Sequence, residues 1–214
     1  ILIALGRTSD GIAQAERVWW QGGANQEMAE HILSDADAAP DSLEHLLRDL
    51  FALTRYTVKK QKKGLRARLH SMRGASNAAI RSLGEATILM NIRGEREKAV
   101  DRVDVALTHL KPADRLHPWA LYARALALRR TDRDVLAAEQ YVELVEMHPD
   151  HRLVPASLHG AGRLLVQSRL PLEGERLLKR LVKEYPGTPQ QLLGIWELGW
   201  SAYLSRNTAK AIPY

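Results

Sequence analysis

Through the second half of the chain, apolar residues recur at spacings of three and four, in paired stripes that a proline closes. Leu158, Ala161, Gly162 and Leu165 form one stripe, and Leu178 and Leu181 form a second before Pro186. Upstream, Leu121, Ala125 and Leu128 are followed by Ala137, Tyr141, Leu144 and Pro149. Further upstream, Leu83, Ala86 and Met90 precede Gly94, Ala99, Val103, Ala106 and, one residue late, Pro112. A fourth set begins with Ile195, Leu198 and Gly199 and runs on to Ala211. Spacings of three and four put each set on one helix face. A small residue in the stripe lets two antiparallel helices approach closely, and the proline stops the second helix. Each unit is therefore expected to be a helical hairpin.

The hairpins repeat. From Pro149 to Pro186, and again from Gly162 to Gly199, the step is 37 residues. A period of this length is the signature of a stacked helical array, in which no unit buries its apolar face without a neighbour. The copies are expected at about 80–116, 117–153, 154–190 and, truncated, 191–214. Residues 1–79 carry weaker signals. Thr8-Ser9-Asp10 can cap a helix ended by Gly22-Gly23, and Pro40-Asp41-Ser42 opens a segment with Leu43, Leu46, Leu47 and Leu50 on one side. They read as irregular N-terminal helical hairpins. The expected fold is an all-α superhelix, a solenoid of antiparallel hairpins.

The copies resemble the tetratricopeptide repeat, whose pattern has a Leu-Gly pair, an alanine in the second helix, then an aromatic and a proline. Leu198-Gly199, Ala211 and the set Ala137, Tyr141 and Pro149 match it. Trp196 and Tyr203 stand one residue C-terminal to the pattern's aromatics, Gly174 replaces the alanine, and the turn glycine survives only as Gly94. The resemblance covers residues 80–214 and implies a scaffold that binds a protein or peptide in its concave groove. By repeat geometry, Arg124, Arg163 and Trp200 are the groove candidates.

The last two copies carry a narrower resemblance. Leu177-Leu178-Lys179-Arg180-Leu181, Tyr185-Pro186-Gly187-Thr188-Pro189, the run Ile195 to Tyr203, and Ala211-Ile212 are similar to the helical, non-catalytic region of bacterial soluble lytic murein transglycosylases and related envelope repeat proteins. That family's catalytic glutamate followed by serine, and its Gly-Leu-Met-Gln and Ala-Tyr-Asn motifs, do not occur here. The resemblance implies a bacterial periplasm or cell-envelope location, with the cytoplasm as the other option. It also leaves an alternative to the scaffold reading: the helical part of a peptidoglycan-cleaving enzyme whose catalytic domain lies elsewhere. The abrupt ends at Ile1 and Tyr214 read as cut edges.

Charge is uneven. The chain of 214 residues has a formal net charge of +6 and no cysteine, so disulfides and cysteine metal sites are excluded. Between Asp49 and Glu85 stand nine Lys or Arg and no acid. Of these, Lys59, Lys60, Lys62, Lys63, Arg66 and Arg73 are expected to present a basic stripe. Like charges this close repel unless solvated or paired with an anion. A solvated face, an anionic partner such as peptidoglycan glycan, a lipid headgroup surface or an acidic protein, and nucleic acid all compete for it. Nucleic acid is the least expected, because Tyr56 is the one nearby aromatic for base stacking.

Chemistry is scarce. His148-Pro149-Asp150-His151 offers two imidazoles and a carboxylate, but the proline distorts their spacing, and no metal is expected there. The serines lack a nucleophile elbow, there is no glycine-rich phosphate loop, and Glu95/Glu97 and Glu143/Glu146 read as solvated helix faces. No catalytic residue or cofactor is expected. Trp19, Trp20, Trp119, Trp196 and Trp200 are expected mainly as core anchors, with Trp200 and Tyr203 on different sides of one helix and one of them free to bind.

Overall fold

The computed structural model describes residues 75–205 and, apart from them, the helical position Gln14. The expected N-terminal hairpins, the basic stripe (Lys59, Lys60, Lys62, Lys63, Arg66 and Arg73) and Ala211 lie outside the described residues. Among the described residues the structure is helical, with no strand. The chain divides into two compact units, residues 1–111 and 112–214.

The first unit contains α1 (Ala75–Met90) and α2 (Arg96–Thr108), which pack on one another. Leu83, Ala86 and Met90 on α1 and Ala99, Val103 and Ala106 on α2 are buried, so both stripes read from the sequence face a core. Between the helices Gly94 adopts φ +88°, a left-handed conformation that glycine enters without a Cβ clash. An exposed ion pair between Arg102 Nε and Glu85 at 3.2 Å joins the two helices. Its partial exposure makes it worth little to stability.

The second unit contains α3 (His117–Arg130), α4 (Asp134–Met147), α5 (Val154–Gln167), α6 (Pro171–Glu184) and α7 (Pro189–Leu204). Each helix packs on the next in sequence order, and α5 also touches α7. Prolines sit in the first turns of α3, α5, α6 and α7, where an amide hydrogen would have no intrahelical acceptor. Thr188 caps α7, its hydroxyl accepting from the Gln191 amide at 3.2 Å. Prolines also mark the exits: α4 stops at Met147 before Pro149, and α6 at Glu184 before Pro186.

The core of this unit is built from Leu121, Ala125 and Leu128; Ala137, Tyr141 and Leu144; Leu158, Ala161 and Leu164; Leu178 and Leu181; and Leu198 and Ala202. On α5 the stripe differs by one position from expectation, since Leu164 is buried and Leu165 only half-buried. Tyr141 fills the space left by a missing side chain. A Cβ built on Gly160 of α5 would meet its ring at 2.7 Å, so the aromatic packs directly against the α5 backbone. Burial holds the Tyr141 and Tyr122 hydroxyls un-ionised, raising both above the ordinary tyrosine range.

Candidate functional site

Helix α7 is apolar on both sides. Gly194, Leu198, Ser201 and Ala202 are buried, which gives α7 its inward face. The opposite face carries Leu192, Leu193, Trp196, Trp200, Tyr203 and Leu204, all exposed. Trp196 is 65% exposed, Trp200 45% and Tyr203 59%. Their spacing of four and three aligns them along one line of the helix surface. The rings form a row: Trp196 and Trp200 lie 6.2 Å apart and 8° from parallel, and Trp200 and Tyr203 lie 5.6 Å apart at 25°. Each ring therefore limits the rotation of the next.

The sequence expectation for these residues needs two corrections. Trp119 is a core residue, 1% exposed, but Trp196 and Trp200 are not. Trp200 and Tyr203 share one side of α7, because a step of three residues leaves side chains only about 60° apart around a helix of 3.6 residues per turn. Both aromatics are open together.

Beside the row, Arg163 of α5 reaches Glu197 of α7, Nε to Oε1 at 3.6 Å. Glu197 is the one charged residue of α7. His159 lies one turn before Arg163, and its Nε2 is buried without a hydrogen-bond partner. Burial, then the positive charges of Arg163 and Arg129, hold this imidazole below the ordinary histidine range. Of the groove candidates, Arg163 and Trp200 thus belong to one neighbourhood, through the pairing of Arg163 with the helix that carries Trp200. Arg124 is half-buried on α3.

A second polar cluster lies where α3 begins and α4 ends. His117 Nδ1 and His148 Nε2 are 3.0 Å apart, a hydrogen bond in which one nitrogen donates and the other accepts. Burial lowers both imidazoles, and for His117 a charge on His148 lowers it further, while Glu143 and Asp114 act in the opposite sense. His151 accepts from the Leu153 amide through Nδ1 at 3.3 Å and meets the Trp119 ring edge-on at 5.9 Å. Arg152 covers the same indole at 4.8 Å. The imidazoles of the His148-Pro149-Asp150-His151 run are thus engaged with different neighbours. Among the described residues, no three His, Cys, Asp or Glu side chains converge as a metal ion would need.

Sequence reasoning missed the pairing of His117 with His148, which lie 31 residues apart with no local pattern to join them. It also missed the row as a unit, although Trp196, Trp200 and Tyr203 stand at helical spacing.

No helix among the described residues is long and apolar enough to cross a membrane. No protein-family model, curated protein or solved structure matches the chain.

Proposed function

We propose that this chain is a non-catalytic scaffold, a solenoid of tetratricopeptide-like hairpins that binds a protein or glycan partner, and that the outward face of α7 is a docking surface. One observation carries the reading. A helix that is hydrophobic all round belongs in an interior, yet α7 leaves a row of three near-parallel aromatic rings and three leucines in water. Trp and Tyr are the side chains most enriched where binding energy concentrates, because they bring large apolar area with few rotors. Mutual stacking reduces the rotor freedom left to lose on binding. The pairing of Arg163 with Glu197 beside the row supplies a polar rim.

The test adds purified peptidoglycan sacculi, or a panel of amphipathic helical peptides, to the full chain and follows tryptophan emission. A saturable blue shift that the Trp196→Ala/Trp200→Ala variant lacks supports the reading. Equal binding by that variant contradicts the assigned surface. Release of soluble muropeptides from the sacculi contradicts the non-catalytic assignment.

A further inference from the structure

Charge is sorted between neighbouring helices of the second unit. Helices α3 and α5 together carry Arg124, Arg129, Arg130 and Arg163 and no acid, whereas α4 carries Asp134, Glu139, Glu143 and Glu146 and no base. Two of those arginines act on one histidine. His159 of α5 feels the charge of Arg163, one turn further along its own helix, and of Arg129 from α3, and no carboxylate is among the charges that act on it. Its Nε2 is buried without a hydrogen-bond partner. We propose that Arg129 and Arg163, gathered around His159, bind the carboxylates of an extended acidic segment of a partner protein. The proposal rests on the scaffold reading above, of which it names the ligand, and needs nothing of the outward face of α7.

Packing brings these residues together. Tyr122 and His159 stand 37 residues apart, one step of the repeat, so they hold equivalent places on α3 and α5. The Tyr122 ring lies 5.4 Å from that of Tyr141 on α4, and Tyr141 in turn packs against Gly160, the neighbour of His159. Arg129 follows Tyr122 by about two turns on the same side of α3. Its charge acts on both tyrosines as well as on His159. Arg129 is exposed and the Arg163 side chain is 44% exposed, so a ligand reaches both from solvent.

The chemistry of the pair favours carboxylates. A guanidinium group holds a carboxylate through two parallel hydrogen bonds and is more weakly hydrated than an ammonium group. Arg163 already makes such a contact, but Glu197 of α7 stands at 3.6 Å, longer than a close charge-assisted hydrogen bond, so its hold on Arg163 is loose. An incoming carboxylate can join or replace it. In an extended peptide, alternate side chains point the same way about 7 Å apart, so acidic residues at alternate positions present a row of carboxylates to this wall. The half-buried Tyr122 ring gives the peptide an apolar flank. Two arginines fall short of the about six to ten phosphate contacts of a firmly bound nucleic acid.

The experiment is fluorescence anisotropy of a labelled peptide of alternating serine and glutamate, titrated with the full chain at two salt concentrations. The expected result is saturable binding that weakens with salt and is absent with the matching serine–glutamine peptide. Arg129→Glu and Arg163→Gln should each weaken binding by about tenfold or more while helical circular dichroism stays unchanged. Glu197→Gln frees Arg163 from its internal carboxylate and should tighten binding, a change of opposite sign that damage to the fold does not mimic. Equal binding by Arg129→Glu, or weaker binding by Glu197→Gln, would overturn the inference. So would binding that reversal of Lys59, Lys62, Lys63 and Arg66 abolishes and Arg129→Glu spares, or tighter binding of single-stranded nucleic acid through the same two arginines. A chain that ignores the acidic peptide while its tryptophans still shift on sacculi or helical peptides would overturn this ligand alone and keep the scaffold. A chain that responds to none of them would remove both.

Discussion

Gly162 of α5 and Gly174 of α6 face each other so closely that neither position has room for a methyl group. A Cβ on Gly174 would lie 2.5 Å from the Gly162 carbonyl oxygen and 2.7 Å from Val166 Cγ2. A Cβ on Gly162 would lie 2.7 Å from Leu178 Cγ and 3.0 Å from the Gly174 carbonyl. The helices meet backbone to backbone. Ala137 stands 37 positions before Gly174 in the chain, but at the α5–α6 crossing only a residue without a Cβ fits.

Gly174→Ala is accordingly expected to destabilise the protein despite alanine's better helix propensity. Propensity favours alanine by about 1 kcal/mol, but forcing apart a packed crossing costs about 1–3 kcal/mol. The clash involves backbone, which cannot swing aside as a side-chain end can. Chemical denaturation should show a lower midpoint at an unchanged slope. A variant as stable as the native chain would mean that α5 and α6 separate easily.

The turns yield a prediction of opposite sign. Asp132, between α3 and α4, has φ 60°, and Arg169, between α5 and α6, has φ 65°. Both are left-handed, as Gly94 is in the first unit, and they lie 37 residues apart. The left-handed turn thus recurs at both junctions on a residue other than glycine. Holding a non-glycine residue there costs on the order of 1 kcal/mol or more, partly offset by glycine's greater freedom in the unfolded chain. Arg169→Gly should raise the melting temperature by a few degrees, and Asp132→Gly should do so less, since Asp tolerates this region better. No gain at Arg169 would show that its side chain makes up the difference.

These turns also show where sequence reading ends. The apolar stripes, the small residue at the α5–α6 crossing and the proline exits were legible because period and side-chain size are local properties. The left-handed turns at Asp132 and Arg169 were not, because neither residue type announces that conformation. The α7 row was half legible. Its residues stood at helical spacing and repeat geometry made Trp200 a groove candidate, but both sides of α7 are apolar, so its tryptophans read mainly as core anchors. The pairing of His117 with His148 depends on the packing of α3 on α4, which no window of sequence contains.

Acid should weaken the second unit. His117, His148 and His159 are all held below the ordinary value of 6.5, first by burial. A histidine lowered in the folded state binds protons more readily when unfolded, so its stabilising contribution is complete above about 6.5 and is lost as pH falls. The melting temperature should be flat on the alkaline side and begin to drop below about 6.5, well before carboxylates titrate near about 4. Placing a proton on both His117 and His148 also opposes two charges across 3.0 Å. His148→Gln keeps a hydrogen-bonding group that does not titrate, so it should flatten the profile. A native profile level down to about pH 5 would contradict the role given to all three.

The basic stripe supports the last prediction, which concerns residues outside those described structurally. Lys59, Lys62, Lys63 and Arg66 belong to a run of nine cations between Asp49 and Glu85 with no acid among them. If they form an exposed anion-binding surface, reversing all four to glutamate should leave folding nearly untouched, since exposed substitutions typically change stability by within about 0.5 kcal/mol each. The melting temperature should stay level or rise, because the reversal relieves repulsion among like charges. Binding to an anionic partner should fall and lose its salt dependence, because screening acts over about 8 Å at physiological ionic strength. The measurement compares native and reversed chains on sacculi, anionic liposomes and single-stranded nucleic acid at two salt concentrations. Loss on sacculi or liposomes alone assigns the anion to glycan or lipid, and loss on nucleic acid reverses the order of expectation given by Tyr56 as the one nearby aromatic. Unfolding on reversal, or no binding by either chain, would make the stripe a structural or solvated feature and leave α7 as the proposed docking surface.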